Sequence, residues 1–383
     1  EMFGEPTNGS RTNIMVTVDE KAKDKDFVKE LVKGGASVLR INAAHDDATL
    51  WKQIIDNARA VEEETGMTCR ITMDIAGPKA RTSWVMSQER GVRLKVGTKF
   101  LLSRENHAQV RDDVILQAGC SLPEVLDSVE VGDSILIDDG SVEGVIREAL
   151  PEGLLIEVLK TDRKKGKRLK VDRGLNFPAS DLDLDVITQK DEKDLDFACK
   201  YADIIGFSFI KSVEDIQCCL KAIERRVPNP TERPAVMAKI ETLQGIENLP
   251  DIVAAAAGHS PFCVMIARGD LAVETGYLRL AELQQQILWI CEAADVPCIW
   301  ATSVLDNLVS NGIPTRAEVT DAAEGGARAE CVMLNKGDYI LEGVRFLAEL
   351  LDRMDENVYK KTPLLRPLGI AKNVRTQDIT EDV

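Results

Sequence analysis

Two short runs carry the densest chemistry in the sequence: 237–241, Met-Ala-Lys-Ile-Glu, and 265–270, Met-Ile-Ala-Arg-Gly-Asp. Each is an apolar, β-type stretch that ends abruptly in charge, the way a buried parallel strand delivers functional groups to the rim of a barrel. Glu241 and Asp270 are oxygen ligands suited to a divalent cation, and magnesium takes only one or two protein carboxylates, filling its shell from water and phosphate oxygens. Lys239 and Arg268 are expected to face an anionic substrate. Lys239 stands two residues before Glu241, so the two side chains share one strand face. Two cations and two carboxylates converging at one place are the ingredients of phosphoryl transfer. On one strand such charges are ordinarily only salt-bridged; their recurrence on many strands points to a site.

The elements that must hold these residues alternate strand with helix. Strands are predicted over 13–18, 37–42 and 68–74, with a helix over 24–33 that stops at Gly34-Gly35. Asp47 can cap a second helix, whose Leu50, Trp51, Ile54, Ile55, Ala58 and Val61 make one apolar face. The alternation resumes with strands over 204–209, 236–240, 263–267, 297–301 and 331–334, and Ile340, Val344, Leu347 and Leu351 form a stripe on the last helix. Eight strands, each followed by helix, close a (β/α)8 TIM barrel. An open doubly wound sheet is the alternative, but no Gly-x-Gly-x-x-Gly follows the first strand.

After the third strand the rhythm changes to short strands and turns, over 92–96, 99–102, 134–137, 142–146 and 154–158, with Asp138-Asp139-Gly140 as a hairpin turn. A small β-barrel-like lid domain is therefore expected as an insertion: barrel 1–82, lid 83–171, barrel 172–358, and an extended, charged tail 359–383. The basic stretch 163–170 reads as a solvated hairpin tip rather than a grip on a phosphate tail. Candidate residues then gather at one end of the barrel strands: Arg40 and Asn42, Asp74 and Arg81, Ser208, Phe209 and Lys211, Lys239 and Glu241, Arg268 and Asp270, and Thr302.

The 383 residues carry a net charge of -16, which argues against a nucleic-acid or anionic-membrane partner, and no apolar run reaches the length of a membrane-spanning helix. Nine cysteines without Cys-x-x-Cys spacing sit mostly in apolar segments and read as reduced core thiols. The expected location is a reducing compartment, cytoplasm or organelle matrix or stroma, and not the secretory route. The sequence opens at Glu1 without a charged-then-apolar leader, so a targeting segment is expected to be absent or removed.

In order along the chain, Leu39-Arg-Ile-Asn42, Gly77-Pro-Lys-Ala-Arg-Thr82, Asp138-Asp-Gly140, Leu175-Asn-Phe-Pro178, Ser208-Phe-Ile210, Lys239-Ile-Glu241, Ala267-Arg-Gly-Asp-Leu271, Ala301-Thr302 and Pro314-Thr-Arg-Ala-Glu318 resemble the motifs of pyruvate kinase. The resemblance implies a barrel with a β lid and transfer of phosphate from phosphoenolpyruvate to ADP, giving pyruvate and ATP. It implies Glu241 and Asp270 as ligands of Mg2+ or Mn2+, and Lys239 as the cation that stabilises the phosphoryl group in flight and the enolate oxygen. Arg40 would reach the phosphate, with Arg81 as a second anion contact. Gly269, Asp270 and Thr302 would hold the substrate carboxylate, Thr302 orienting the enolate face that is protonated, with Ser208 among the substrate contacts. Arg40, Asn42, His45 and Asp139 fall to the nucleotide, Asp139 closing over it from the lid.

The sequence departs from the family pattern in four places. The first strand ends in Thr17-Val18-Asp19-Glu20 instead of Thr-Ile-Gly-Pro, and Ala43-Ala44-His45 replaces Phe-Ser-His. Leu334-Asn335-Lys336-Gly337-Asp338 is four residues shorter than the family's loop, and the family's C-terminal regulatory domain is expected to be lacking. A homodimer or a subunit of a larger assembly, unresponsive to sugar-phosphate activators, is expected. In the family a potassium ion is held by positions matching Asn42, Ala44, Asp74 and Ile75; Ala44 lacks the hydroxyl that would ligate it, while Ile75 can still offer its backbone carbonyl. Lys79 replaces a glutamate of potassium-requiring members, so it is expected to pair with Asp74 and substitute for the ion. An active, unregulated, potassium-independent kinase is the leading expectation. A degraded barrel that binds a metabolite or serves as an interaction subunit, and a metal-dependent lyase or aldolase of a pyruvate enolate, are the alternatives.

Overall fold

The computed structural model describes residues 2–7, 9–89, 91–105, 114–178, 180, 182 and 184–357. The tail expected over 359–383 lies outside them. In chain order come β1 (Asn13–Thr17), α1 (Lys25–Lys33), β2 (Val38–Asn42), α2 (Ala48–Thr65) and β3 (Arg70–Ile75). Next follow β4 (Thr82–Ser87), β5 (Lys99–Ser103), β6 (Leu116–Cys120), β7 (Ser134–Ile137), β8 (Val142–Leu150), β9 (Gly153–Thr161) and β10 (Leu175–Asn176). The chain continues through α3 (Gln189–Tyr201), β11 (Ile204–Phe207), α4 (Val213–Arg226), β12 (Ala235–Ile240), α5 (Leu243–Glu247), α6 (Leu249–Ala256) and β13 (Phe262–Ala267). It ends with α7 (Arg268–Thr275), α8 (Tyr277–Ala293), β14 (Cys298–Ala301), α9 (Asp306–Asn311), α10 (Arg316–Arg328), β15 (Cys331–Leu334) and α11 (Ile340–Asn357).

Eight of these strands close a parallel barrel in the order β1-β15-β14-β13-β12-β11-β3-β2. Local chemistry sets the helices between them. Asp47 caps α2 by accepting from the Thr49 and Leu50 N–H groups, and Gly66 ends it in the left-handed region at φ 67°. Alternation along the strands explains the barrel interior. Met15, Val38, Ile204, Met237, Met265, Ile299 and Met333 belong to one buried apolar cluster. Two or four residues further along the same strand faces stand Thr17, Arg40, Ser208, Lys239 and Glu241. One face of each of these four chain segments, β1, β2, β11 and β12 with the residues that follow them, thus begins as core and ends as chemistry.

Gly206 of β11, paired in register with Asp74 of β3, is where this interior is tightest. A Cβ there would lie 2.5 Å from Asp74 Oδ1 and 2.4 Å from Met237 Cε. Gly206→Ala is therefore expected to destabilise the protein by about 1–3 kcal/mol through overpacking. A urea midpoint unchanged from wild type would count against this reading of the interior.

The second compact unit is formed by residues 77–188 together with 269–279. Its seven-stranded sheet runs β10-β7-β8-β9-β5-β6-β4, antiparallel except where β5 pairs β6. Leu94, Phe100, Leu102, Ile135, Ile146 and Ile156 are in its own core. The Asp138-Asp139-Gly140 turn joins β7 to β8 with all three residues at positive φ, 54°, 54° and 78°. The strand expected over 92–96 reduces to a single bridge between Leu94 and Lys167. Of the basic stretch, Lys167 pairs with Asp138 at 2.8 Å, while Arg163, Lys164, Lys165, Arg168 and Lys170 are exposed. All nine cysteines are free thiols, and no helix among the described residues is long and apolar enough to cross a membrane.

Candidate active site

Lys239 reaches the mouth of the barrel from β12 and is 9% exposed. Its ammonium donates to Ser208 Oγ at 2.8 Å and sits 3.1 Å from Glu241 Oε1 and 3.6 Å from Asp74 Oδ2. Burial alone would push the lysine pKa down, but the Glu241 and Asp74 carboxylates outweigh it and hold the value above the ordinary one. Lys239 is thus a fixed positive charge at neutral pH. Ser208 donates its own O–H to the Ile75 carbonyl at 2.9 Å, so the hydroxyl oxygen faces the ammonium as an acceptor.

Arg40 of β2 completes the cluster. Its Nε and Nη2 both reach Asp74 Oδ2, at 2.8 and 2.7 Å, and Nη1 donates to Thr17 Oγ1 at 3.0 Å. Burial raises the Asp74 pKa, yet Arg40 and Lys239 together hold it below the usual carboxylate range. Glu241 is equally buried; its Oε2 accepts from the Phe209 N–H at 2.6 Å, and Phe209 adopts a left-handed φ of 59° to present that donor. The residues matching the potassium positions are turned to other partners: Asn42 Oδ1 accepts from the Ala44 N–H at 3.1 Å, and the Ile75 carbonyl from Ser208. Beside Arg40 opens a cavity of about 170 Å³ lined by Thr17, Arg40, Asn42, His45, Trp51 and Lys336. Thr17 and Lys336 were not among the residues expected to contact ligand, although both lie in the stretches where the sequence departs from the family pattern.

Arg268, expected to face an anionic substrate, is turned to the barrel's own groups. Nη1 and Nη2 grip Asp321 as a fork, the second contact at 2.8 Å, while Nε donates to the Ala301 carbonyl and Nη2 to the Thr302 carbonyl, both at 2.8 Å. The guanidinium also stacks 4.3 Å from the Trp300 ring. Four of its five N–H donors are spent on the barrel itself. What it holds is a backbone in which Thr302, Ser303 and Leu305 all have positive φ, 71°, 59° and 53°. Asp321 and Trp300 carried no sequence signal beyond the neighbouring 314–318 motif.

In the second unit, Arg81 reaches Asp172 at 3.5 Å and Asp139 is exposed at its turn. The expected pair of Lys79 with Asp74 is replaced by another: Lys79 Nζ donates to Asp270 Oδ1 at 2.6 Å, while Asp74 takes Arg40 and Lys239 as its cations. Gly269 and Asp270 follow Arg268 in the first turn of α7.

Comparison with known proteins follows the same residues. The family model described as pyruvate kinase, barrel domain, matches residues 9–344. Pyruvate kinase 2 of Trypanosoma brucei brucei is 31% identical over 353 residues, covering 90% of this chain and 68% of that protein. Pyruvate kinase of Kluyveromyces lactis is 29% identical, covering 90% and 67%. The crystal structure of a pyruvate kinase from Cryptosporidium parvum superposes with a TM-score of 0.81 at 26% identity, covering 92% of this chain and 70% of that one. With eight parallel strands closed and the model matched across the barrel, the chain belongs to the pyruvate kinase family.

Proposed function

We propose that the protein transfers the phosphoryl group of phosphoenolpyruvate to ADP, giving pyruvate and ATP. The observation that carries this reading is the buried ammonium of Lys239, held charged by Glu241 and Asp74 and oriented by Ser208. A preorganised positive charge in a water-poor site is what the developing charge of a phosphoryl group or an enolate oxygen requires. Arg40, locked by Asp74 and Thr17, positions the phosphate, and the cavity beside it with Asn42, His45 and Lys336 takes part of the nucleotide. Thr302, at the turn that Arg268 braces, serves the protonation side of the enolate.

The cofactor is magnesium or manganese, which when bound draws off charge from phosphate oxygens. Glu241 fits such an ion by donor type, a hard carboxylate already fixed by the Phe209 N–H. Among the described residues no group of three or more His, Cys, Asp or Glu could hold a metal, which agrees with an ion that completes its shell from water and substrate. Nine free thiols support a reducing compartment. Pyruvate formation, coupled to lactate dehydrogenase and dependent on phosphoenolpyruvate, ADP and magnesium, tests the function; no turnover by the purified protein overturns it.

Potassium is not required on this reading. Arg40 and Lys239 already supply two cations to Asp74, and the oxygens of Asn42 and Ile75 have donors of their own. The rate is expected to be the same within about twofold when potassium is replaced by tetramethylammonium, since no ion ligation is lost. Strong activation by potassium would contradict it.

A further inference from the structure

We propose that Lys79 is a tethered cation that occupies Asp270 until a divalent ion displaces it, and that Asn176 receives the displaced ammonium. This rests on the reading of Asp270 as a carboxylate for the metal. Lys79 is fixed at its base by a tight turn in which its N–H donates to the Gly77 carbonyl at 3.0 Å. Its ammonium and the Asp270 carboxylate meet at 2.6 Å with side chains only 17% and 18% exposed. An ion bound to the same carboxylate stands about 2.0–2.1 Å from its oxygen. An ammonium and a divalent cation held on one carboxylate oxygen repel each other strongly at that separation, so binding of the ion drives the ammonium away.

The chain provides a place to go. Asn176 is 5% exposed, and its Oδ1 accepts from no donor among the described residues. The amide cannot be turned round to relieve this, because Nδ2 donates to Glu274 Oε1 at 3.1 Å and a carboxylate accepts only from the nitrogen. A buried amide oxygen left without a donor is costly, and an ammonium is among its strongest partners. Lys79 and Asn176 border one small space over Gly174. A Cβ built on Gly174 would lie 3.1 Å from Lys79 Cε, 3.7 Å from its Nζ and 3.9 Å from Asn176 Oδ1. The absence of a side chain at Gly174 leaves that path open. Lys79 then acts as a competitor of the divalent ion, setting how much free metal the protein needs, and rests on an otherwise unpaired acceptor once the ion is bound.

Manganese titration of the full chain, followed by the electron paramagnetic resonance signal of the free ion with no substrate present, tests this. Lys79→Met is expected to tighten manganese binding about tenfold, the effect of deleting one close charge contact. Asn176→Leu should weaken binding while Lys79 is present and leave it unchanged in the Lys79→Met background, a coupling that general damage to the fold would not produce. In Asp270→Asn the Lys79→Met effect should vanish. Equal manganese affinity in wild type and Lys79→Met, with Asp270→Asn weakening both, overturns the tethered cation and leaves the proposed function standing. No manganese bound by wild type or Lys79→Met overturns the metal reading itself and the tethered cation with it.

Discussion

Lys239→Met is expected to lower the rate of pyruvate formation at least a hundredfold, a loss of about 3–4 kcal/mol of transition-state stabilisation. Methionine keeps the length of the side chain and its packing but removes the ammonium that Ser208, Glu241 and Asp74 converge on. The same change removes the Lys239 ammonium from beside Glu241, so stability should fall as well; Asp74 retains Arg40. Circular dichroism and a melting curve separate the two effects, since a folded variant with a lower melting temperature and no turnover is the expected result. Because the carboxylates hold the Lys239 pKa above its ordinary value, the ammonium persists through the whole working range. Its charge is lost only as pH rises through that elevated value, so the pH–rate profile of the wild type should show no fall from this group below about pH 10. Substantial turnover by Lys239→Met would refute its role.

The barrel was legible because two periodicities coincide on it. β1, β12, β13, β14 and β15 are buried along their whole length and each ends where the apolar run meets charge or a turn, so their limits shift by no more than a residue from the pattern. α3 was not legible. Only Asp191, Leu195 and Ala198 of its thirteen residues are buried, and Gln189–Tyr201 reads as a polar stretch until β3 supplies something to pack on. β6, Leu-Gln-Ala-Gly-Cys, has no β-branched residue and contains a glycine, yet it is buried at every position. Its Gly119 is needed because a Cβ would come within 2.2 Å of the Trp84 indole nitrogen, a cause that lies on another strand.

At the site, residue types followed from strand-end chemistry and partners did not. Lys239 and Glu241 meet because they are two apart on one strand, a relation any sequence states outright. Lys79 and Asp270 are 191 residues apart, and Arg268 and Asp321 are 53 apart with a strand and two helices between them. A charge at a strand end has several oppositely charged residues within reach of its rotamers, and only the packed fold selects one. That selection turned Arg268 from an anion contact into a brace, and moved Lys79 from Asp74 to Asp270.

Arg268→Met should accordingly damage the fold more than it damages any contact with substrate, with an expected loss of about 3–5 kcal/mol in urea unfolding. Four hydrogen bonds and the stack on Trp300 disappear, and Asp321 keeps only the Trp300 indole N–H, at 3.4 Å, from its former set. Arg268→Lys should recover little, because an ammonium cannot form a planar fork on Asp321 while donating to both the Ala301 and Thr302 carbonyls. The double variant Arg268→Met with Asp321→Leu should be more stable than Arg268→Met alone, since the charge left behind accounts for much of the cost. The left-handed run at Thr302, Ser303 and Leu305 depends on the same guanidinium, so residual turnover in Arg268→Met should fall in kcat more than it rises in KM for phosphoenolpyruvate. A single variant within about 1 kcal/mol of wild type would mean that the fork on Asp321 contributes no more than a surface ion pair.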